Sequence, residues 1–144
     1  MKRTLLYTLG AWIFCIGFLA CKKSVTTANS AITIENISGT YALKGLVWSF
    51  GGFNFNVFDS LDACEKDNLI KFNTDKTVNY IDAGTACTPP ADDNGTWDLQ
   101  GDSLIFSSNY SNAKIQSFDG KTLILTGVPE GETGATATTT LEKQ

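Results

Sequence analysis

Four cysteines, fifteen carboxylates and a complete lack of histidine set the chemistry open to this 144-residue chain. Without imidazole there is no Ser-His-Asp or Cys-His activation of a nucleophile and no His-ligated zinc. Nor is there a side chain whose ordinary titration lies near neutral pH. Two carboxylates facing each other across a cleft of roughly 5 to 9.5 Å would suit glycoside cleavage, but the strands read below supply few inward acids. The acidic groups Asp59, Asp62, Glu65 and Asp67, and Asp92 with Asp93, lack the spacing of a calcium loop and read as solvated loop. The expectation is a protein that is not an enzyme, with no catalytic residue, no metal and no cofactor. Nucleic acid is also excluded as a partner, because phosphate binding needs a basic face. Arg3 is the only arginine, and beyond residue 20 there remain 9 basic against 15 acidic residues, a net charge of −6.

The cysteines need elements to position them, and the first belong to export. Lys2 and Arg3 precede an apolar run from Leu9 to Ala20. At about 12 residues the run is too short for the ~20 that span a bilayer, and it has the layout of a cleaved signal peptide. Its end, Phe18-Leu19-Ala20-Cys21, resembles the lipobox of bacterial lipoproteins, departing from it at Phe18. That resemblance implies cleavage before Cys21 and acylation of the cysteine, giving a signal peptide over 1–20 and a membrane partner reached through lipid at Cys21. The other reading is an ordinary signal peptide with an incidental cysteine. Lys22 and Lys23 stand where an inner-membrane retention aspartate would, so the expected location is the bacterial cell envelope, outer membrane, facing the periplasm. The polar, threonine-rich stretch 21–38 reads as a flexible tether.

The remainder, 39–144, alternates in the two-residue period of half-buried strands. Leu46 to Phe50 and Phe53 to Val57 flank a Gly51-Gly52 turn. Ile70 and Phe72 face Val78 and Tyr80 across Asn73 to Lys76. Trp97 and Leu99 lead through Gly101-Asp102 to Leu104 and Phe106, the hairpin around which the chain is organised. Ala113 to Phe118 turns at Asp119-Gly120 into Thr122 to Thr126, and a threonine-rich strand from Ala135 to Leu141 could close on the first. Asp59 to Asp67 reads as one helical turn capped by Asp59 or Ser60, and Cys87 to Gly95 as loop with an Asn94-Gly95 turn. Eight or nine short strands joined in order imply an all-β fold, most simply an antiparallel up-and-down barrel, with a β-sandwich as the alternative.

Gly39-Thr40-Tyr41, Cys64-Glu65-Lys66-Asp67, Phe72 to Thr77, Cys87, Gly95-Thr96-Trp97-Asp98-Leu99 and the closing Leu141 to Gln144 together resemble the lipocalin-like domain of bacterial lipoproteins. Tyr41 stands where that pattern has tryptophan. Lys76 replaces a turn glycine, which places a side chain where positive φ is preferred. The resemblance implies a cup-shaped eight-stranded barrel over 39–144 with an apolar cavity and no particular ligand.

Once Cys15 is removed and Cys21 acylated, Cys64 and Cys87 remain in an oxidising compartment, which points to a disulfide. A hairpin with its turn near Thr74 and Asp75 brings these two positions together. Tyr41, Phe72, Tyr80, Trp97, Leu99, Phe106 and Leu125 are the candidate inward residues that either line a ligand cavity or fill the barrel. Two functions remain: binding of a small hydrophobic ligand, or a structural or protein/glycan-interaction module of the envelope with a filled barrel. The aromatic cluster Phe50, Phe53, Phe55 and Phe58 separates them, as a lid over an open mouth or as a flat patch.

Overall fold

The computed structural model describes residues 30–107, 111–129 and 131–144. The signal segment 1–20 and Cys21 lie outside the described residues, as does the tether up to residue 29.

Among the described residues there are nine antiparallel strands: β1 Gly39–Phe50, β2 Phe53–Asn56, β3 Leu69–Phe72, β4 Thr77–Ile81, β5 Asp93–Gln100, β6 Ser103–Phe106, β7 Ala113–Phe118, β8 Thr122–Gly127 and β9 Ala135–Lys143. Their spatial order is β2-β1-β3-β4-β5-β6-β7-β8-β9, and β9 pairs back onto β1 from Lys143↔Tyr41 to Ala135↔Phe50. The barrel is therefore a closed ring of eight, and the edges that an open sheet would leave unpaired are gone. The ninth strand, β2, is an addition. β1 is long enough to give one edge to two partners, β3 along Gly39 to Ala42 and β2 along Val47 to Phe50.

Two bulges keep apolar residues inside. In β1 the register slips between Leu43 and Gly45, so Lys44 is left over. Leu43 stays opposite Leu141 while Leu46 and Trp48 come opposite Thr139 and Ala137. In β7 the slip between Ile115 and Ser117 lets Ile115 and Phe118 both be buried. Strict alternation would put Phe118 on the face of Lys114 and Gln116; the extra residue at Gln116 resets the pleat and turns Phe118 inward.

The described residues also hold three single-turn helices: α1 Ile34–Ile37, α2 Val57–Ser60 and α3 Ala63–Lys66. The one turn expected over Asp59 to Asp67 is thus two turns, broken at Leu61. The second is capped at Asp62, not at Asp59 or Ser60, with the Glu65 carboxylate accepting from the Asp62 N–H at 2.8 Å. Asn94-Gly95 is not a turn either. It lies within β5, where Asn94 faces Asn79 and its side-chain oxygen accepts from Asn79 Nδ2 at 2.6 Å.

The stretch 30–38, read as tether, is part of the folded unit. The Thr33 hydroxyl accepts from Asn36 N–H, capping α1, and Ile37 is completely buried. The Ser30 N–H donates to the Phe118 carbonyl at 2.8 Å, and Lys143 Nζ reaches the Asn36 carbonyl at 3.0 Å. Isoleucines spaced as Ile34 and Ile37 within a short polar segment leave no strand or long-helix period, yet they pack onto the core, with Ile37 plugging one end of the barrel.

Candidate functional site

The interior is divided by a row of aromatic rings. Phe72, on β3, stands edge-on to Tyr41 at 5.7 Å between centroids and to Trp97 at 5.1 Å, with Phe106 at 6.3 Å. Such edge-to-face contacts put the positive ring edge on a negative face and add to the burial energy. Both polar aromatics find partners despite burial. The Tyr41 hydroxyl donates to the Ile37 carbonyl at 2.7 Å, and the Trp97 indole N–H donates to the Asn73 carbonyl at 3.1 Å. Burial raises the pKa of the Tyr41 hydroxyl to about 12, because removal from water disfavours the phenolate.

On the α1 side of this row the barrel is packed solid with Ile37, Tyr41, Trp97, Phe118 and Leu123, each at most 1% exposed. On the other side it is hollow. A cavity of about 390 Å³ is walled by Phe72, Tyr80, Phe106, Leu125, Thr139 and Leu141, with Val128 and Pro129 at its rim. This is within the ~300–1,000 Å³ typical of small-molecule sites. Among the described residues no charged side chain lines it; its polar side chains are Tyr80, Ser111 and Thr139.

The seven candidate cavity residues therefore separate into two groups. Phe72, Tyr80, Phe106 and Leu125 line the hollow, whereas Tyr41, Trp97 and Leu99 lie outside its wall. Tyr41 and Trp97 fill the closed end, while Leu99 packs against the core. Alternation identifies which residues face inward; it says nothing of depth along the axis, which is what decides between lining and filling. Sequence reading missed Ala113, Ala137 and Thr139. Their small side chains opposite larger ones are what leave the space, and smallness at inward positions was the available signal.

The loop between β4 and β5 leaves the sheet at the open end of the barrel, after Ile81 pairs with Leu69. This loop is tied down by side chains in place of a ladder. Cys64 and Cys87 form the expected disulfide, with Cα atoms 5.3 Å apart. The Asp82 carboxylate accepts from the N–H groups of Cys87 and Ala91, and Asp67 Oδ2 accepts from Thr85 N–H at 2.8 Å. Gly84, at φ +64°, lies so close to that Asp67 carboxylate that a Cβ would collide with it. The acidic residues near the mouth thus serve as loop caps. Among the described residues no group of three or more His, Cys, Asp or Glu side chains is placed to hold a metal ion.

A one-ended hollow in an eight-stranded up-and-down barrel is the geometry of a cup for a small apolar molecule. A family model for the lipocalin-like domain matches residues 48–125, more than half of the chain. The chain belongs to that family. No curated protein matches it. The matched stretch of the lipocalin-like barrel runs from the end of β1 into β8, so the plug helix α1, most of β1 with Tyr41, and the closing strand β9 lie beyond it. Tyr41, standing where the sequence resemblance expects tryptophan, does a comparable packing job. It fills the closed end against Phe72, and its hydroxyl ties the strand to α1. Lys76 adopts φ +68°, the left-handed turn position anticipated for a glycine, and its ammonium pairs with Asp98 at 2.8 Å.

Proposed function

We propose that this protein is a lipid-anchored envelope lipoprotein whose lipocalin-like barrel holds a small, neutral, apolar ligand without transforming it. The observation that carries the binding reading is the cavity itself, about 390 Å³ and, among the described residues, free of charged lining. An apolar molecule entering it removes its own surface and that of Phe72, Phe106 and Leu125 from water, at about 25 cal/mol per Å². A charged group would find no counter-charge among the described wall residues. The same wall supports a non-catalytic role, since the chain contains no histidine and the described lining of the cavity contains no carboxylate.

The anchor rests on the Phe18-Leu19-Ala20-Cys21 sequence. Eight residues lie between Cys21 and Ser30, a reach of at most about 30 Å. Ser30 meets the barrel at its closed end, beside Phe118. A lipid at Cys21 would hold that end nearest the bilayer and direct the mouth toward the periplasm.

Both parts are tested on the full-length protein taken from its own envelope into an amphipathic polymer. Organic extraction and mass spectrometry are expected to release one reproducible apolar compound, which Leu125→Trp, filling the hollow, reduces to background. Extraction with no such compound, or equal amounts from both proteins, overturns the binding reading. Cys21→Ser is expected to abolish incorporation of labelled palmitate; retained label would place any lipid elsewhere.

A further inference from the structure

The β1–β2 hairpin has an apolar face that the fold leaves in water. Directly opposed residues on antiparallel strands share a face, so the pairs Trp48↔Phe55 and Phe50↔Phe53 put four aromatic side chains together. Phe50, Phe53 and Phe55 are 55%, 71% and 57% exposed. The opposite face is polar, with the Ser49 hydroxyl donating to Asn54 Oδ1 at 2.7 Å. A hairpin bathed by water on both sides has no reason to alternate Phe-Asn-Phe-Asn; the pattern is that of a strand with an apolar partner on one side.

The aromatic face is the cavity wall continued. Trp48 lies opposite Ala137 and Phe50 opposite Ala135 on β9, and Ala137 lines the hollow. The bulge at Lys44 is what keeps β1 in phase, so that the inward side below becomes the aromatic side above. From Leu46, opposite the cavity residue Thr139, to Phe50 the strand advances about 13 Å. No polar side chain interrupts the aromatic face, because Ser49, Asn54 and Asn56 belong to the other one. A sugar would need hydrogen-bond partners beside the rings, whereas a hydrocarbon chain would not.

We propose that this face is a second ligand subsite, and that the bound molecule is an elongated apolar chain with one end in the barrel and the remainder lying along Trp48, Phe50, Phe53 and Phe55. This rests on the ligand-binding reading above. A chain covered on one side only gains about half of the full burial energy per methylene, or about twofold in affinity for each one added beyond the cavity.

The test uses the full-length protein in an amphipathic polymer and fatty alcohols carrying a photoactivatable diazirine. Peptide mapping is expected to place label from a short probe, octanol, within the cavity strands alone. Label from hexadecanol, with the diazirine near the hydroxyl, is expected on the β1–β2 hairpin. Competition by unlabelled alcohols should tighten with length, and Phe53→Ser with Phe55→Ser should flatten that gain while leaving octanol binding unchanged. Octanol labelling of the cavity with no hexadecanol label on the hairpin, or a length dependence unaltered in the double variant, overturns the subsite alone. Absence of cavity labelling by either probe overturns the binding reading beneath it. Hairpin label displaced by a soluble glycan or by a second copy of the protein, but not by unlabelled alcohol, would assign the face to that other partner and overturn the subsite.

Discussion

The two ends of the barrel are built from the same alternation of inward and outward residues, yet one is solid and the other hollow. At the closed end large side chains meet across the axis, and α1 lowers Ile37 into what would otherwise be an opening. At the open end inward positions on β7 and β9 are Ala113, Ala137 and Thr139, and the aromatic bulk is displaced outward onto the β1–β2 hairpin. The contrast separates two uses of apolar surface. Buried against other side chains, it stabilises the fold; held in a hollow or on a rim, it remains available to another molecule.

Substitution should expose this difference most strongly in stability. Trp97→Ala, which empties the closed end and leaves the Asn73 carbonyl without its indole donor, is expected to cost about 3–5 kcal/mol in denaturant unfolding. Phe53→Ser at the open rim should stay within about 0.5 kcal/mol of the parent. Comparable losses for the two would mean that the hairpin aromatics pack onto the barrel in solution.

Next in size is the bridge at the mouth. Cys64→Ala opens a loop closed over a sequence separation of 23, and should lower stability by about 3 kcal/mol while the fold persists. Amide exchange would locate the effect. Faster exchange is expected in the loop between β4 and β5, with the closed end unaffected; exchange rising equally at both ends would show that the mouth and the plug unfold as one unit.

Tyr41 sharpens the closed-end side of the comparison through pH. Its folded pKa of about 12 lies above the ordinary value of about 10. Below pH 10 the hydroxyl is protonated in both states and the stabilisation is fully present. As pH climbs toward 12 the unfolded chain gives up the proton first, and stability falls. Tyr41→Phe should remove this alkaline decline and cost about 1–2 kcal/mol at neutral pH through the orphaned Ile37 carbonyl.

The smallest effect lies in the β3–β4 turn. Lys76→Gly relieves a positive φ at the loss of an exposed ion pair and should stabilise by about 0.5 kcal/mol, measured as a small rise in Tm. A loss of stability would show that the pair with Asp98 outweighs the backbone strain.

Much of this architecture was legible in the chain. The hairpins at Gly51-Gly52, Asn73 to Lys76 and Gly101-Asp102 were visible because a turn needs particular backbone freedom and its flanking strands need a two-residue alternation, both local properties. The Cys64–Cys87 bond followed from counting cysteines and from the hairpin between them. Most of the inward set was legible too, since alternation is a statement about faces; Phe118 was the exception, turned inward by the bulge at Gln116.

What the chain alone left open depends on distances between segments remote in sequence. Whether Tyr41 and Phe106 fill or line was decided by their height along the axis, which is fixed by the register between β1 and β9 and the stagger of the ring. The bulges at Lys44 and Gln116 leave no mark in a local pattern, because the extra residue is defined only against the partner strand. Ile37 became a plug because its segment returns beneath Phe118 and Lys143, residues far away in sequence. Local chemistry determined the strands, their turns and their faces; closure of the ring decided where inside that ring there would be room.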